Sequence, residues 1–225
     1  MRPMFRLIHA CVWALLFGGG VVHAPLEAAK AARPAKVTRS TPQEPTPQEP
    51  PWQQVVRVAS GLIESEHYLR QPLDFAVSNR AMDRLFELWD PDRLFFLQSD
   101  LEELRSKFGL QFAAHLKAGN MEGALAVHAR FQQRALEYCA AASGIVSGDW
   151  DFDSPWEVEL SRERAAWPAD EGAAFQEWVV QVGADLLGYR LEGMTLEQAS
   201  SKVRKRLEQF SKSVRAAGAK EAVSR

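Results

Sequence analysis

From Val55 to Val214 the apolar residues recur at the three- and four-residue spacing of an α-helix, and strand-like alternation is almost absent. That periodicity confines the folded part to helices packed on helices, because an apolar stripe is stable only when another stripe covers it. Six helices are expected. Val55, Ala59, Leu62, Ile63 and Leu69 mark one face of the first, which Gln71-Pro72 ends. Phe75, Met82, Leu85, Phe86 and Trp89 mark the second, which Asp90-Pro91-Asp92 stops. After Leu94-Phe95-Phe96-Leu97, Ser99 and Glu102 are spaced as a capping box for a third helix ending near Gly109.

Asn120 is placed to cap a long fourth helix with the stripe Leu125, His128, Phe131, Ala135, Tyr138, Cys139 and Ala142, and Gly144 to end it. A connector follows with Trp150, Trp156 and Trp167, three large rings that are expected to dock it on helix surfaces or to line a peptide groove. Asp170 opens a helix through Phe175, Trp178, Val179, Val182, Leu186 and Leu187. Thr195 and Gln198 form a capping box for the last helix. That helix carries Leu196, Val203, Leu207, Phe210 and Val214 on one side and Lys202, Arg204, Lys205 and Arg206 around the rest. The stripe is expected to pack on the domain's own helices, and the cations to feel a weak, salt-sensitive attraction to the acidic body. Trp150, Trp156, Trp167, Val203, Leu207 and Phe210 are the candidate docking or partner-binding residues.

The start of the chain has a different composition. Arg2 and Arg6 precede an apolar stretch from Leu7 to Val22, too short and glycine-rich for a comfortable membrane span. This is a signal-peptide pattern with cleavage expected after Ala24, Ala28 or Ala31, an uncleaved anchor being the alternative. Cys11 is a poor lipid acceptor, since Ile8-His9-Ala10 precedes it. The doubled Thr-Pro-Gln-Glu-Pro from Thr41 to Pro50 lacks the amide donors and the apolar groups of a packed element, and reads as an extended tether. The expected organisation is a signal peptide over residues 1–28, a linker over 29–51 and a helical domain over 52–225. An exported protein, periplasmic or in the cell envelope, with no integral span after cleavage, follows.

The whole chain holds 27 basic and 29 acidic residues, but from Trp52 to Ser201 the balance is 13 against 24, whereas from Lys202 to Arg225 it is 8 against 2. An acidic body of this kind repels phosphate, which argues against nucleic acid as a partner. Cys139 is the one cysteine beyond the apolar start, so packing rather than a disulfide must supply stability.

Chemical sites fail on spacing, and no catalytic, cofactor-binding or metal residue is assigned. Ser106-Lys107, Ser201-Lys202 and Ser211-Lys212 are chain neighbours, which on a helix point about 100° apart and cannot form a nucleophile-base pair. Asp149, Asp151 and Asp153 alternate like a calcium loop, yet Ser154 and Leu160 stand where such a loop needs glycine and glutamate. His115 and His128 have no partner at metal-ligand spacing, and His128 and Cys139 lie on an apolar stripe.

The run His67-Tyr68, Pro72-Leu73-Asp74, Asp83-Arg84 and the block from Asp90 to Asp100 resembles the N-terminal domain of the tail-specific, C-terminal-processing serine proteases. Ala166-Trp167-Pro168, Leu191 to Thr195 and Arg204-Lys205-Arg206 extend the resemblance over roughly Val55 to Val214. It implies a helical region that precedes a PDZ domain and a Ser-Lys protease domain and helps to form the substrate-receiving vessel. This chain reaches Arg225 without that machinery. The expected product is a non-enzymatic module without cofactor. Its partner would be protein, either a separately encoded protease or adaptor, or a second copy; the alternative is a protease fragment inactive alone.

Overall fold

The computed structural model describes residues 51–66, 74–152 and 162–223, with side chains for all of these except 51, 52 and 218–223. The described residues are all-helical and contain no strand. Six helices are long: α1 Pro51–Glu66, α2 Phe75–Trp89, α3 Gln98–Phe108, α5 Glu122–Ile145, α6 Glu171–Leu191 and α7 Leu196–Val223. Between α3 and α5 lie a 3-10 turn, Gly109–Gln111, and the short α4, Phe112–Lys117. Residues 1–50 of the signal peptide and tether, Leu69, Gln71-Pro72 and Trp156 lie outside the described residues, whereas Pro51, expected as the end of the tether, opens α1.

Two apolar cores result. The first gathers Met82, Leu85 and Phe86 of α2, Leu101 and Leu104 of α3, Phe112 and Leu116 of α4, and Val127 and Phe131 of α5. The second gathers Tyr138, Cys139 and Ala142 of α5, Trp178, Val182 and Leu186 of α6, and Ala199, Val203 and Leu207 of α7. Phe95 and Phe210 pack against both. The long α5 supplies its first half to one core and its second half to the other, and α7 lies along α5 and α6.

Side-chain capping explains several of the helix starts. Asp74 accepts the Val77 amide at 2.9 Å, Asp170 accepts the Ala173 amide at 2.8 Å, and Thr195 and Gln198 bond each other's amides at 3.3 and 2.9 Å, as their spacing predicts. The third helix departs from expectation. It begins at Gln98, and the carboxylate that reaches back is that of Asp100, on the Leu97 amide at 3.0 Å, while Glu102 bonds the Gln98 side chain. Asp100 wins because it stands third in the actual helix. Asn120 likewise sits one residue ahead of the α5 N-cap and closes a turn on the Glu122 amide, and α5 runs past Gly144 to Ile145.

The α1 face is rotated from the one expected. Val56 and Ser60 are buried, whereas Val55 and Leu62 are about half exposed, at 48% and 55%. α1 packs chiefly on α4, a helix of six residues, which leaves much of its apolar surface uncovered. Phe75, the first residue of α2, and Phe175 of α6 are also exposed. Two glycines permit close approaches at this end. Gly119, at φ 77°, faces the Gln53 carbonyl of α1, and a side chain at Gly123 would stand 2.9 Å from the Phe112 ring.

Candidate interaction site

The link between α2 and α3 organises the rest of the domain. Asp90 is completely buried, and its carboxylate accepts three backbone amides, those of Leu94, Phe95 and Phe96, at 2.8, 2.8 and 3.0 Å. Burial raises its pKa above the ordinary carboxylate value, against the pull of those three donors and with help from the repulsion of Asp92. Its carbonyl also takes the Arg93 amide, so Arg93 is turned into the left-handed region at φ 52°. Such a residue costs about 1–2 kcal/mol, and here the strain aims a side chain. The Arg93 guanidinium donates to the Ala165 carbonyl at 2.6 Å and lies 5.2 Å from the centre of the Trp167 ring.

The returning end of the connector is stitched to the same link. Gln98 donates its amide to the Pro168 carbonyl at 2.8 Å, and Trp178 of α6 donates its indole N–H to the Leu94 carbonyl at 2.8 Å. Trp167 is half-buried with its edge on Phe96, their ring centres 5.9 Å apart. At the outgoing end Trp150 is half-buried, stacked on Phe152 at 5.9 Å, with Arg190 over the Phe152 ring. Thus Trp150 and Trp167 each pack on the body, and the described ends of the connector are docked.

Asp100 closes the second half of the arrangement. Only 1% of its side chain is exposed, and it joins α3 to Arg130 and Arg134 of α5. Arg134 meets both carboxylate oxygens, at 2.9 and 3.1 Å, and Arg130 bonds one of them. Glu103, Glu137 and Glu171 complete the network from α3, α5 and the start of α6. Burial alone would raise the Asp100 pKa, but the bonds from Arg134, the Leu97 amide and Arg130 together hold it below the ordinary value. The hydrogen bond to Asp100 in turn raises the Arg134 pKa.

The remaining candidates divide between core and surface. Val203 and Leu207 are buried, at 0% and 4% exposure, beneath α5 and α6, and Phe210 stacks on Phe95 at 5.8 Å. Val203 and Leu207 therefore pack within the domain, and the partly buried Phe210 packs against both cores. His128 is buried with its ring 4.5 Å from that of Trp89, and burial pushes the Cys139 thiol pKa up, which disfavours the thiolate. Ser106, Lys107, Ser201, Lys202 and Lys212 are exposed. Among the described residues no group of three His, Cys, Asp or Glu side chains converges as a metal requires, and no helix is long and apolar enough to cross a membrane.

Sequence reasoning found the Asp90 to Asp100 block by resemblance but missed Arg130 and Arg134. Their spacing of four on one helix face, opposite the buried carboxylate, was the available signal. A model of the family described as the tail specific protease N-terminal domain matches residues 59–225. The Tail-specific protease of Haemophilus influenzae is 28% identical to the chain over 148 residues. That stretch is 66% of this chain and 21% of the relative, so the chain spans about a fifth of the relative's length.

Proposed function

Because the chain belongs to the tail specific protease N-terminal domain family, we propose that it is an exported, non-catalytic helical module that engages protein partners alongside a tail-specific protease. The observation that carries this reading is how the block from Asp90 to Asp100 is used. The Asp90 and Asp100 carboxylates and the Phe96 ring are turned inward on backbone amides and on Arg130, Arg134 and Trp167. Groups satisfied in this way hold a shape, which is the work of a scaffold. Residues 1–28 serve as the export signal and 29–50 as an extended tether ahead of the helical domain.

Catalysis and export are tested separately. Purified protein should leave unfolded peptides with apolar C-termini intact, and Ser→Ala changes at Ser106, Ser201 and Ser211 should alter nothing. Turnover lost on one of those changes overturns the non-catalytic reading. Mass spectrometry of the exported protein should find an N-terminus between Pro25 and Ala32; a cytoplasmic product beginning at Met1 overturns export.

The share of the relative that is matched favours a second reading, in which the domain acts in the same polypeptide as a protease. The reading frame after Arg225 decides: a PDZ and protease frame in continuity assigns the module to the same chain, and its absence assigns it to a separate one.

A further inference from the structure

The geometry points to the outward face of α7 as a docking surface for an anionic phospholipid bilayer. The apolar face of this helix is fully used, since Val203, Leu207 and Val214 are buried in the domain. On the opposite side Lys205 and Lys212 form the outward pole, flanked by Lys202 and Arg215, all exposed. At 1.5 Å per residue these cations extend over about 20 Å of a straight helix, a length suited to a flat surface.

Ion pairing within the protein leaves this face largely positive. Arg206 is taken by Asp185 of α6, and Arg204 rests on the neutral Ser147 hydroxyl at 3.0 Å. Lys212 has a loose contact of 3.9 Å with Glu208 of its own helix, both side chains being more than 70% exposed. Lys202, Lys205 and Arg215 have no ion pair among the described residues. The attraction to the acidic body expected of these cations is thus realised across helices by Arg206. The rest form a positive strip on a molecule whose remaining folded part has 13 basic and 24 acidic residues. That asymmetry orients the protein in a field from a negative surface.

The occupant is assigned from the chain ahead of the domain as well as from charge. Arg2, Arg6 and the apolar run to Val22 are an export segment on the reading proposed above, on which this inference rests for the presence of a bilayer. Export through that segment brings the folded domain to a membrane, where the charge asymmetry of the molecule turns α7 toward anionic headgroups. Each cation close to an anionic leaflet contributes about a factor of five in partitioning.

Vesicle co-sedimentation tests the proposal with the full chain. The probes are phosphatidylglycerol mixed with phosphatidylcholine, and phosphatidylcholine alone, each at low and at physiological salt. The apolar N-terminal segment contributes to both proteins equally, so the comparison of wild type with K202E/K205E/K212E isolates α7. Wild type should prefer the anionic vesicles, and the triple variant should lose about a hundredfold in partitioning to them while keeping its helicity. The preference should shrink as the screening length falls from about 30 Å to about 8 Å between 0.01 and 0.15 M salt. Equal binding to both compositions overturns the proposal, as does an unaffected triple variant. Tighter binding to polyglutamate than to vesicles, or salt-sensitive self-association abolished by the triple variant without vesicle binding, also overturns it, in favour of an acidic protein or a second copy. None of these outcomes depends on the N-terminus found in exported material, so failure of the export reading is recognised separately.

Discussion

Asp90 and Asp100 are both nearly devoid of solvent, yet their surroundings push them in opposite directions. Asp100 has two guanidinium partners, so its charged form is favoured in the folded state. Its contribution is present above the unfolded carboxylate pKa, about 4, and is lost as pH falls through the lower folded value. Asp90 has only backbone donors against its burial, so its contribution has the opposite sign and weakens as pH rises from about 4 through its raised pKa. Asp100→Ala strands two arginines against a buried site and should cost about 3 kcal/mol at neutral pH. The deficit should narrow toward pH 3, where wild type has lost part of the same interaction; urea titrations at both pH values measure it. A deficit unchanged between them would mean that packing, not charge, explains the loss. Arg93→Gly relieves a strained φ but removes the bond to Ala165 and the contact with Trp167. A net loss of about 1 kcal/mol is expected, and a gain in stability would show that the strain outweighs the stitching.

At the scale of helices, α1 and α7 are the contrasting cases. α7 buries a continuous stripe against α5 and α6, whereas α1 rests chiefly on a six-residue helix and leaves Val55, Val58 and Leu62 half exposed. Hydrogen exchange should therefore find amides from Leu196 to Phe210 strongly protected and those of α1 the first to exchange among the long helices. Rapid exchange along α7 would contradict the packing described. Val56→Ala should cost about 1–2 kcal/mol and Val55→Ala less than about 0.5. The long helices were legible because their stripes repeat over several turns and because Asp170, Thr195 and Gln198 carry their own capping chemistry. The α1 phase was not, since Val55, Val56, Ala59, Leu62 and Ile63 satisfy two neighbouring faces and only the partner helix chooses between them. The short α4 has too few residues to show a period. Ser99 and Glu102 fit a capping box as well as Asp100 fits Leu97, and the choice between them depends on Arg130 and Arg134 arriving from thirty residues away.

The molecule as a whole has two cores whose unity depends on a few rings. Phe95 is in edge contact with Phe131 at 5.5 Å on one side and Tyr138 at 5.4 Å on the other, and it stacks on Phe210 of α7. Its backbone amide is one of the three held by Asp90, so the same link that fixes the α2 to α3 turn also inserts the ring where the cores meet. Among the described residues the other large side chain packed against both is Phe210. A domain joined in this way should unfold as one unit while the junction is intact, with far-UV circular dichroism and tryptophan fluorescence tracing one transition. Phe95→Ala should remove about 3–5 kcal/mol, and it should do so unevenly, because the second core retains Trp178, Val182, Leu186 and the buried face of α7 without it. The fluorescence of Trp89 and Trp167, on the first core, should then change at a lower denaturant concentration than the helical signal. A Phe95→Ala variant whose two probes still coincide, at any loss of stability, would show that α5, shared by both cores along its length, couples them without the ring.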